Sequence, residues 1–295
     1  MPDITTYEPD NSLKKGYSTI FREIWQDLKN NRWLTWQLFR RDFFGAYKQS
    51  VMGILWIFIM PLGNVLVFVL LNNAGVFDFG TLYPNIHNII IPYPVYAIVG
   101  MTFWQLFAAG LISGSAALVG AGSMLTQINF SKKSLVLSSV ARSIVSFLIM
   151  LFMVIAVFVY YYAVQPDKIS IRPGLTVLMV PLLLVPLVFL SLGLAFILSI
   201  FNVMVRDIAQ ALSLLLMFLM FLTPVLYATP TAGILATITN YNPLYYLLAA
   251  PRDLIFAGTM FHWVRTVLSA VFCFVIFVIG IMVFHLSESR VGERV

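Results

Sequence analysis

The chain of 295 residues contains little charge and almost no cysteine. Only 10% of its residues are charged and 60% are hydrophobic, whereas charged residues make up roughly a quarter of a soluble domain. The single cysteine, Cys273, lies inside an apolar run, so it can form neither an intrachain disulfide nor a cysteine-based metal cluster. We interpret it as a small buried hydrophobic residue. These shortages argue against a soluble or disulfide-stabilised domain and favour a membrane protein.

Motifs for catalysis are also missing from the sequence. No G-x-x-x-x-G-K-[ST] loop occurs, so we expect no nucleotide hydrolysis by this chain itself. No H-E-x-x-H or C-x-x-C motif occurs either, and ionisable residues are nearly absent from the apolar runs. Proton- and ion-coupled carriers normally have such residues inside their spans. We therefore predict a transport or scaffold subunit rather than an enzyme or an ion-coupled carrier, with no cofactor or metal on this chain.

Six apolar runs are long enough to cross a hydrocarbon core of about 30 Å as helices. They lie at about 51–71, 95–119, 143–164, 175–201, 208–228 and 266–286. The predicted fold is therefore an all-α membrane protein, with an N-terminal region 1–50, a six-span domain 51–286 and a tail 287–295. Fourteen of the 18 lysines and arginines fall on one side of this arrangement, so the positive-inside rule predicts that both termini are cytoplasmic.

Two segments next to the spans have their own patterns. The basic, aromatic run 36–50 (WQLFRRDFFGAYKQS) is typical of an amphipathic helix that lies in the headgroup plane. Residues 229–263 are apolar in patches but are interrupted by Pro243 and Pro251 and are too short to cross. We expect a re-entrant helical hairpin beside a transport path; the alternative is an ordinary extracytoplasmic loop.

Tyrosines crowd the end of the fifth predicted span and the hairpin. A tyrosine ring offers a flat apolar face to a sugar, and its hydroxyl can bond the sugar's polar edge. We predict that these residues line a substrate path: Tyr227, Tyr241, Tyr245 and Tyr246.

The connection 120–142 is long for a simple turn. It opens with Gly120 and Gly122 and continues with basic residues but no acid. We predict a short helix along the membrane face whose apolar residues Leu125, Ile128 and Phe130 dock a cytoplasmic partner. The alternative is that its lysines only satisfy the positive-inside rule.

Three stretches resemble the membrane subunits of type-2 ATP-binding-cassette exporters, specifically the permeases for lipid-linked O antigen, capsule or teichoic acid. Residues 39–62 are similar to the family pattern R-D-x-x-x-x-Y-[KR]-x-[ST]-x-x-G-x-x-W-x-x-x-x-P-L. Residues 93–107 (YPVYAIVGMTFWQLF) resemble its second-span opening, and residues 205–227 with NPLYYL at 242–247 resemble its R-D-[IL]…T-P-[IV]-x-Y…N-P pattern. One departure is in the turn, where Gln127 and Ser131 stand in place of a common lysine and proline.

The resemblance implies a homodimer in the bacterial inner membrane, with two copies of a separate ATPase subunit that binds ATP and Mg²⁺. It implies that the region from Trp33 to Gln49 is a gating helix. The substrate would be a polyprenyl-pyrophosphate-linked polysaccharide, with O antigen as the principal candidate. It would move through a pore formed at the dimer interface by spans one and five. Teichoic acid, capsule, or a small lipid or drug is the alternative cargo, and a passive channel or scaffold is a third interpretation.

The resemblance also suggests roles for particular residues. Arg40, Arg41 and Lys48 would meet the lipid pyrophosphate, although attraction to anionic lipid explains the same charges. The expected coupling residues, which touch the ATPase, are Gln127, Ile128, Asn129, Phe130, Lys132 and Lys133. The expected substrate-lining residues, besides the four tyrosines, are Trp56, Asn64, Phe218, Phe221 and Thr223.

Overall fold

The computed structural model describes residues 17–48, 52–75, 89–122, 131–205, 207–230 and 232–291, which are nearly all helical. Their α-helices are α1 Tyr17–Asn30, α2 Arg32–Lys48, α3 Trp56–Asn73, α4 Tyr93–Ser115, α5 Ala117–Ala121, α6 Lys133–Val164, α7 Val180–Met204, α8 Ile208–Leu222, α9 Gly233–Tyr241, α10 Pro243–Ala257 and α11 Trp263–Val291. Short 3₁₀ turns cover 53–55, 166–168 and 175–179. Within the described ranges, β-pairing is limited to an isolated bridge between Ile90 and Ser170.

Five helices are long and apolar enough to cross a membrane: α3, α4, α6, α7 with the 3₁₀ turn before it, and α11. Each coincides with one of the predicted spans, so the prediction of a helical membrane protein is confirmed. The remaining run, 208–228, forms a helix only as far as Leu222, over 15 residues. Thr223 is extended because the ring of Pro224 disfavours helical backbone at the preceding residue.

The predicted short helix at 120–142 is wrong in its second half. Residues 133–142 are the first turns of α6, which runs for 32 residues from Lys133 to Val164. A hydropathy window places the boundary at 143 because it responds to apolar content, whereas backbone hydrogen bonding continues a helix through polar turns. The docking residues Leu125, Ile128 and Phe130 lie outside the described residues, as do Gln127 and Asn129.

Helix α4 is the centre of the bundle. Most of its span is buried (83%), and it packs against α6 and α7, whereas α3 is peripheral with 11% of its span buried. At one end of the bundle, which we call the Lys133 end, α1 and the last turns of α11 meet the start of α6. At the opposite end, the Gly258 end, the main-chain N–H of Arg172 donates to Phe256 and the Thr176 hydroxyl donates to Gly258 O.

Helices α7 and α11 cross with their backbones in direct contact. A Cβ atom placed on Gly193 would lie 2.6 Å from Phe277 Cα, and one on Gly280 would overlap the carbonyl of Gly193. Small residues at such a crossing allow two membrane helices to approach closely. The crossing therefore depends on glycine at both positions.

We predict that Gly193→Ala lowers the stability of the protein by about 1–3 kcal/mol, the usual cost of overpacking, because the added methyl meets backbone that cannot rotate away. The measurement is thermal unfolding of the detergent-purified protein, followed by fluorescence-detected size exclusion. Gly63→Ala in α3 is the control, since a Cβ there meets nothing within 4 Å. Equal melting temperatures for both variants would contradict the proposed tight crossing.

Candidate functional site

The chain leaves helical geometry after α8, and the polar groups of this segment are satisfied by side chains from other helices. We call residues 223–227 the TPVLY segment. The hydroxyl of Tyr93 donates to Leu226 O at 2.9 Å, and the hydroxyl of Tyr96 donates to Tyr227 O at 3.1 Å. Irregular backbone at membrane depth is tolerated only where protein or a wet cavity supplies such partners. The segment is therefore a stably held break rather than a frayed helix end.

Arg252 of α10 completes this support from the other side. Its Nη1 donates to Pro224 O at 3.1 Å and to Val225 O at 3.4 Å, and its guanidinium lies 4.4 Å from the centre of the Tyr96 ring. Gly100 of α4 lets the Val225 carbonyl come close, because a Cβ there would overlap that oxygen. The buried arginine thus stabilises the connection between α10, the TPVLY segment and α4.

The four predicted tyrosines lie near one another at the Gly258 end, in different environments. Tyr227 and Tyr246 donate to main-chain carbonyls of Phe221 and Asn240, and the Tyr245 hydroxyl lies 2.9 Å from Thr229 Oγ1. Tyr241 is 85% exposed, whereas Tyr245 and Tyr246 are buried. Tyr241 is therefore the member of this group with the most surface available to a ligand.

A cavity of about 700 Å³ opens between α9, the start of α10 and the first turns of α11. We call it the Arg265 cavity; its polar lining includes Thr237, Asn240, Tyr241, Tyr246, Arg265 and Ser269. His262 lies at its edge, with its ring 5.8 Å from that of Tyr246. Burial lowers the pKa of His262, and the Arg265 cation acts in the same direction, so the cavity holds one fixed positive charge.

The predicted lining residues of spans one and five lie on neighbouring helices. The rings of Phe68 on α3 and Phe221 on α8 are 6.2 Å apart, so the two helices approach each other at this point. Trp56, Asn64, Phe218 and Phe221 are all exposed. Thr223 differs, since it is fully buried and its hydroxyl accepts from Asn242 Nδ2 at 2.8 Å. Helices α3 and α8 thus present an apolar surface without a partner in the described part of this chain.

The basic residues of α2 lie before α3 at the Lys133 end. Arg40 is exposed, and Arg41 Nη2 lies 2.8 Å from Asp42 Oδ1, a surface ion pair. For Lys48 the structure describes the backbone of α2 and not the side chain. Stacked rings of Trp36, Phe39 and Phe43 run along the same helix. Helix α2 therefore combines a cation with an aromatic row, and it packs on α6.

Lys133 is a buried charged residue at the Lys133 end. It is 2% exposed, its Nζ lies 2.8 Å from Asp27 Oδ2 of α1, and it also forms an ion pair with Glu288 of α11. We call these three residues the Lys133 clasp. Ser131 donates to the same Asp27 oxygen at 2.9 Å. Because a buried ammonium is stable only when it is paired and hydrogen-bonded, the clasp fixes three helices to one another.

Lys132 binds the same last helix through its main chain and its side chain. Its main-chain N–H donates to Glu288 Oε1, and its Nζ donates to Glu288 O, each at 2.8 Å. Burial lowers the pKa of Lys132, while the Glu288 carboxylate opposes that shift. The chain is therefore anchored to α11 directly before α6 begins.

The chain as a whole is similar to known transport proteins. Residues 34–256 match the family described as ABC-2 type transporter. The chain belongs to this family. This ABC-2 transporter chain is 27% identical over 255 residues to the O-antigen export system permease protein RfbA of Klebsiella pneumoniae, covering 86% of this chain and 91% of that protein. It is 28% identical over 212 residues to the RfbA protein of Myxococcus xanthus, covering 72% and 73%.

Several residues that organise this ABC-2 transporter chain are absent from the predicted sets. They are Asp27 and Glu288 in the clasp, Arg252 beneath the TPVLY segment, and Asn240 and Arg265 in the cavity. Arg252 carries a signal in the sequence, since it stands with Asp253 inside an otherwise apolar helix. Asp27 and Glu288 carry none, because their partner is far away along the chain.

We predict that Lys133→Met destabilises this ABC-2 transporter chain by about 3 kcal/mol, because two carboxylates lose their shared cation. The measurement is thermal unfolding in detergent. The control is Lys168→Met, which removes an exposed lysine at the other end.

Adding Asp27→Asn and Glu288→Gln to Lys133→Met should restore part of the loss, since the triple variant has no uncompensated charge in the clasp. A triple variant less stable than Lys133→Met alone would contradict this account.

Proposed function

We propose that this chain is the permease subunit of an ATP-driven exporter of a polyprenyl-pyrophosphate-linked polysaccharide, with O antigen as the principal candidate for the cargo. The observation that carries the proposal is the similarity to O-antigen export permeases over 86% of the chain, together with the family match. The five long apolar helices and the missing nucleotide-binding loop support a membrane subunit that relies on a separate ATPase. ATP and Mg²⁺ would bind to two copies of that subunit.

In the proposed arrangement the Lys133 end faces the cytoplasm; the excess of lysine and arginine on that side supports this orientation. The two helices α9 and α10 then form the re-entrant hairpin on the extracytoplasmic half. The side-chain support of the TPVLY segment favours this placement, because irregular backbone in the membrane needs partners within the protein.

The transport path would form between two copies of the chain, along α3 and α8. These helices carry exposed Trp56, Asn64, Phe218 and Phe221. Aromatic faces and an amide suit a glycan, which is apolar on its ring faces and polar at its edges. A path at an interface also accepts a polymer too long for a closed cavity. At the extracytoplasmic end of this path would lie Tyr227 and Tyr241. The buried residues Thr223, Tyr245 and Tyr246 would form the wall behind them.

Coupling to the ATPase would use the turn that ends at Lys132 and Lys133, with Gln127, Ile128, Asn129 and Phe130 as the contacting residues. The Lys133 clasp connects the end of that turn to α1 and α11, so a push on the turn would move three helices together. Helix α2 would act as the gating helix, and Arg40, Arg41 and Lys48 would receive the lipid pyrophosphate on the cytoplasmic leaflet.

The experiment that tests this function is deletion of the gene in its host, followed by analysis of lipid-linked glycans at the inner membrane. We expect a polyprenyl-linked polymer to accumulate inside while its surface form disappears. The trapped polymer would distinguish O antigen from capsule or teichoic acid. Unchanged surface glycans would overturn polysaccharide export and leave a small lipid or drug as the cargo.

Complementation of the deletion strain tests the phosphate-binding role of α2. We expect the Arg40→Ala and Arg41→Ala double variant to restore less than a tenth of export, since two charge-assisted bonds to phosphate together contribute roughly 3 kcal/mol. Membrane insertion should be unchanged. The control is the pair Arg22→Ala and Lys29→Ala, which removes two exposed charges from α1. Full export with the α2 variant would remove these arginines from the mechanism.

Cross-linking tests the dimer interface. Cys273 is buried and is the only cysteine, so Cys273→Ser provides a background for single-cysteine variants. We expect Phe218→Cys on α8 to form a disulfide-linked dimer under mild oxidation in membranes. Phe152→Cys on α6 is the control, because Phe152 is similarly exposed but on another helix. Cross-linking through position 152 and not through 218 would contradict the α3–α8 interface.

A further inference from the structure

We propose that the Arg265 cavity binds a phospholipid of the surrounding membrane, with the lipid phosphate at Arg265 and an acyl chain along α11. The cavity shares Tyr241 and Tyr246 with the extracytoplasmic end of the proposed export path, whereas Arg265, Leu268 and Phe272 on α11 belong to the cavity alone. Lipid binding there requires neither the ATPase nor a glycan, so it goes beyond the proposed function and can be tested without it.

The first argument is a cation without a counter-ion. Within the described ranges, no carboxylate lies within ion-pair distance of Arg265, and the cavity lining contains no acidic residue. An arginine in this position attracts an anion, and its planar guanidinium matches phosphate oxygens in a two-point contact. The charge of the cavity therefore selects for an anionic group.

The second argument is that this guanidinium is already held in place. Its Nη1 donates to the Tyr246 hydroxyl at 2.5 Å and to Asn240 Oδ1 at 3.3 Å, and it lies 5.6 Å from the centre of the Tyr246 ring. Both hydrogen bonds use one terminal nitrogen, so Nε and Nη2 have donors for a ligand. A cation fixed in this way loses little side-chain entropy on binding.

The third argument is the order of residues along α11. Arg265, Leu268, Ser269 and Phe272 line the cavity, and their spacing of i, i+3, i+4 and i+7 puts them in one stripe. Arg265 is the third residue of α11, and Phe272 lies about 10 Å further along the helix at 1.5 Å per residue. The stripe thus runs from charged to apolar, as a phospholipid does.

The fourth argument is position and size. Helix α11 is one of the candidate spans, and an arginine near the end of a span extends to the headgroup level while its stem stays in the apolar region. A cavity of about 700 Å³ holds a headgroup and the first part of a chain. Leu268 and Phe272 are exposed in this structure, so an acyl chain would cover apolar surface that the protein leaves open.

The test is lipid binding by the purified full-length chain in detergent, measured by native mass spectrometry during titration with phosphatidylglycerol. We expect Arg265→Gln to weaken retention of one lipid by about tenfold, the loss that corresponds to one charge-assisted contact. Lys168→Gln is the matched control, because it removes an exposed cation at the same Gly258 end but outside the cavity. Equal retention by Arg265→Gln and wild type would overturn the proposal.

A second variant keeps the test decisive if Arg265→Gln does not fold. Leu268→Glu places a carboxylate one turn from Arg265 as an internal counter-ion, and position 268 is close enough to the start of α11 for the charged group to extend toward the headgroup level. We expect the same loss of phosphatidylglycerol. Retention that is unaffected by this change would count against a phosphate at Arg265.

Two further probes separate the parts of the ligand. Diacylglycerol, which has the chains but no phosphate, should bind at least tenfold more weakly than phosphatidylglycerol. Millimolar inorganic phosphate should not displace the lipid, because the stripe along α11 contributes through apolar contact. Displacement by phosphate alone would replace the lipid proposal with a simple anion site, and equal binding of diacylglycerol would overturn the role of Arg265.

Discussion

The ion pairing of Lys133 with Asp27 and Glu288 is the constraint on which the Lys133 end of the bundle depends. Burying an ammonium ion costs several kcal/mol unless carboxylates and hydrogen bonds replace its water. The three residues come from α1, α6 and α11, so this cost is met only when those helices have docked together. The clasp therefore links the positions of α1 and α11 to the position of the chain that enters α6.

At the opposite end of the bundle, helix α8 stops at Leu222 and the chain continues inside the protein. Pro224 prevents α8 from continuing. The main-chain carbonyls of the following residues therefore lack helical partners and need other hydrogen-bond donors. Tyr93 and Tyr96 of α4 and Arg252 of α10 supply them. Because all three donors sit on buried helices, the break is held rigidly. It brings the tyrosine-rich segment and the Arg265 cavity to the same end of the molecule.

Much of this architecture could be predicted from local patterns. Long apolar runs predict five of the helices, and Pro243 correctly marks the break between α9 and α10. The predicted interruption at Pro251 is wrong, because α10 continues through that residue. The errors also have local causes. Hydropathy could not show that residues 133–142 belong to α6, because their polarity hides a helix that is continuous in its hydrogen bonds. The fifth run is shorter than predicted because apolar composition continues past Pro224 while the helix does not.

The sequence by itself determined that this is a membrane protein, because the free energy of placing an apolar run in a bilayer depends on the length and composition of that run. It also determined the family, since the matching patterns are contiguous stretches of chain. Only the tertiary structure decided which charges pair. Asp27, Lys133 and Glu288 are separated by more than a hundred residues at each step, and Arg265 meets Asn240 and Tyr246 across two helices. Electrostatic contacts depend on distance in space, and no local pattern records that distance.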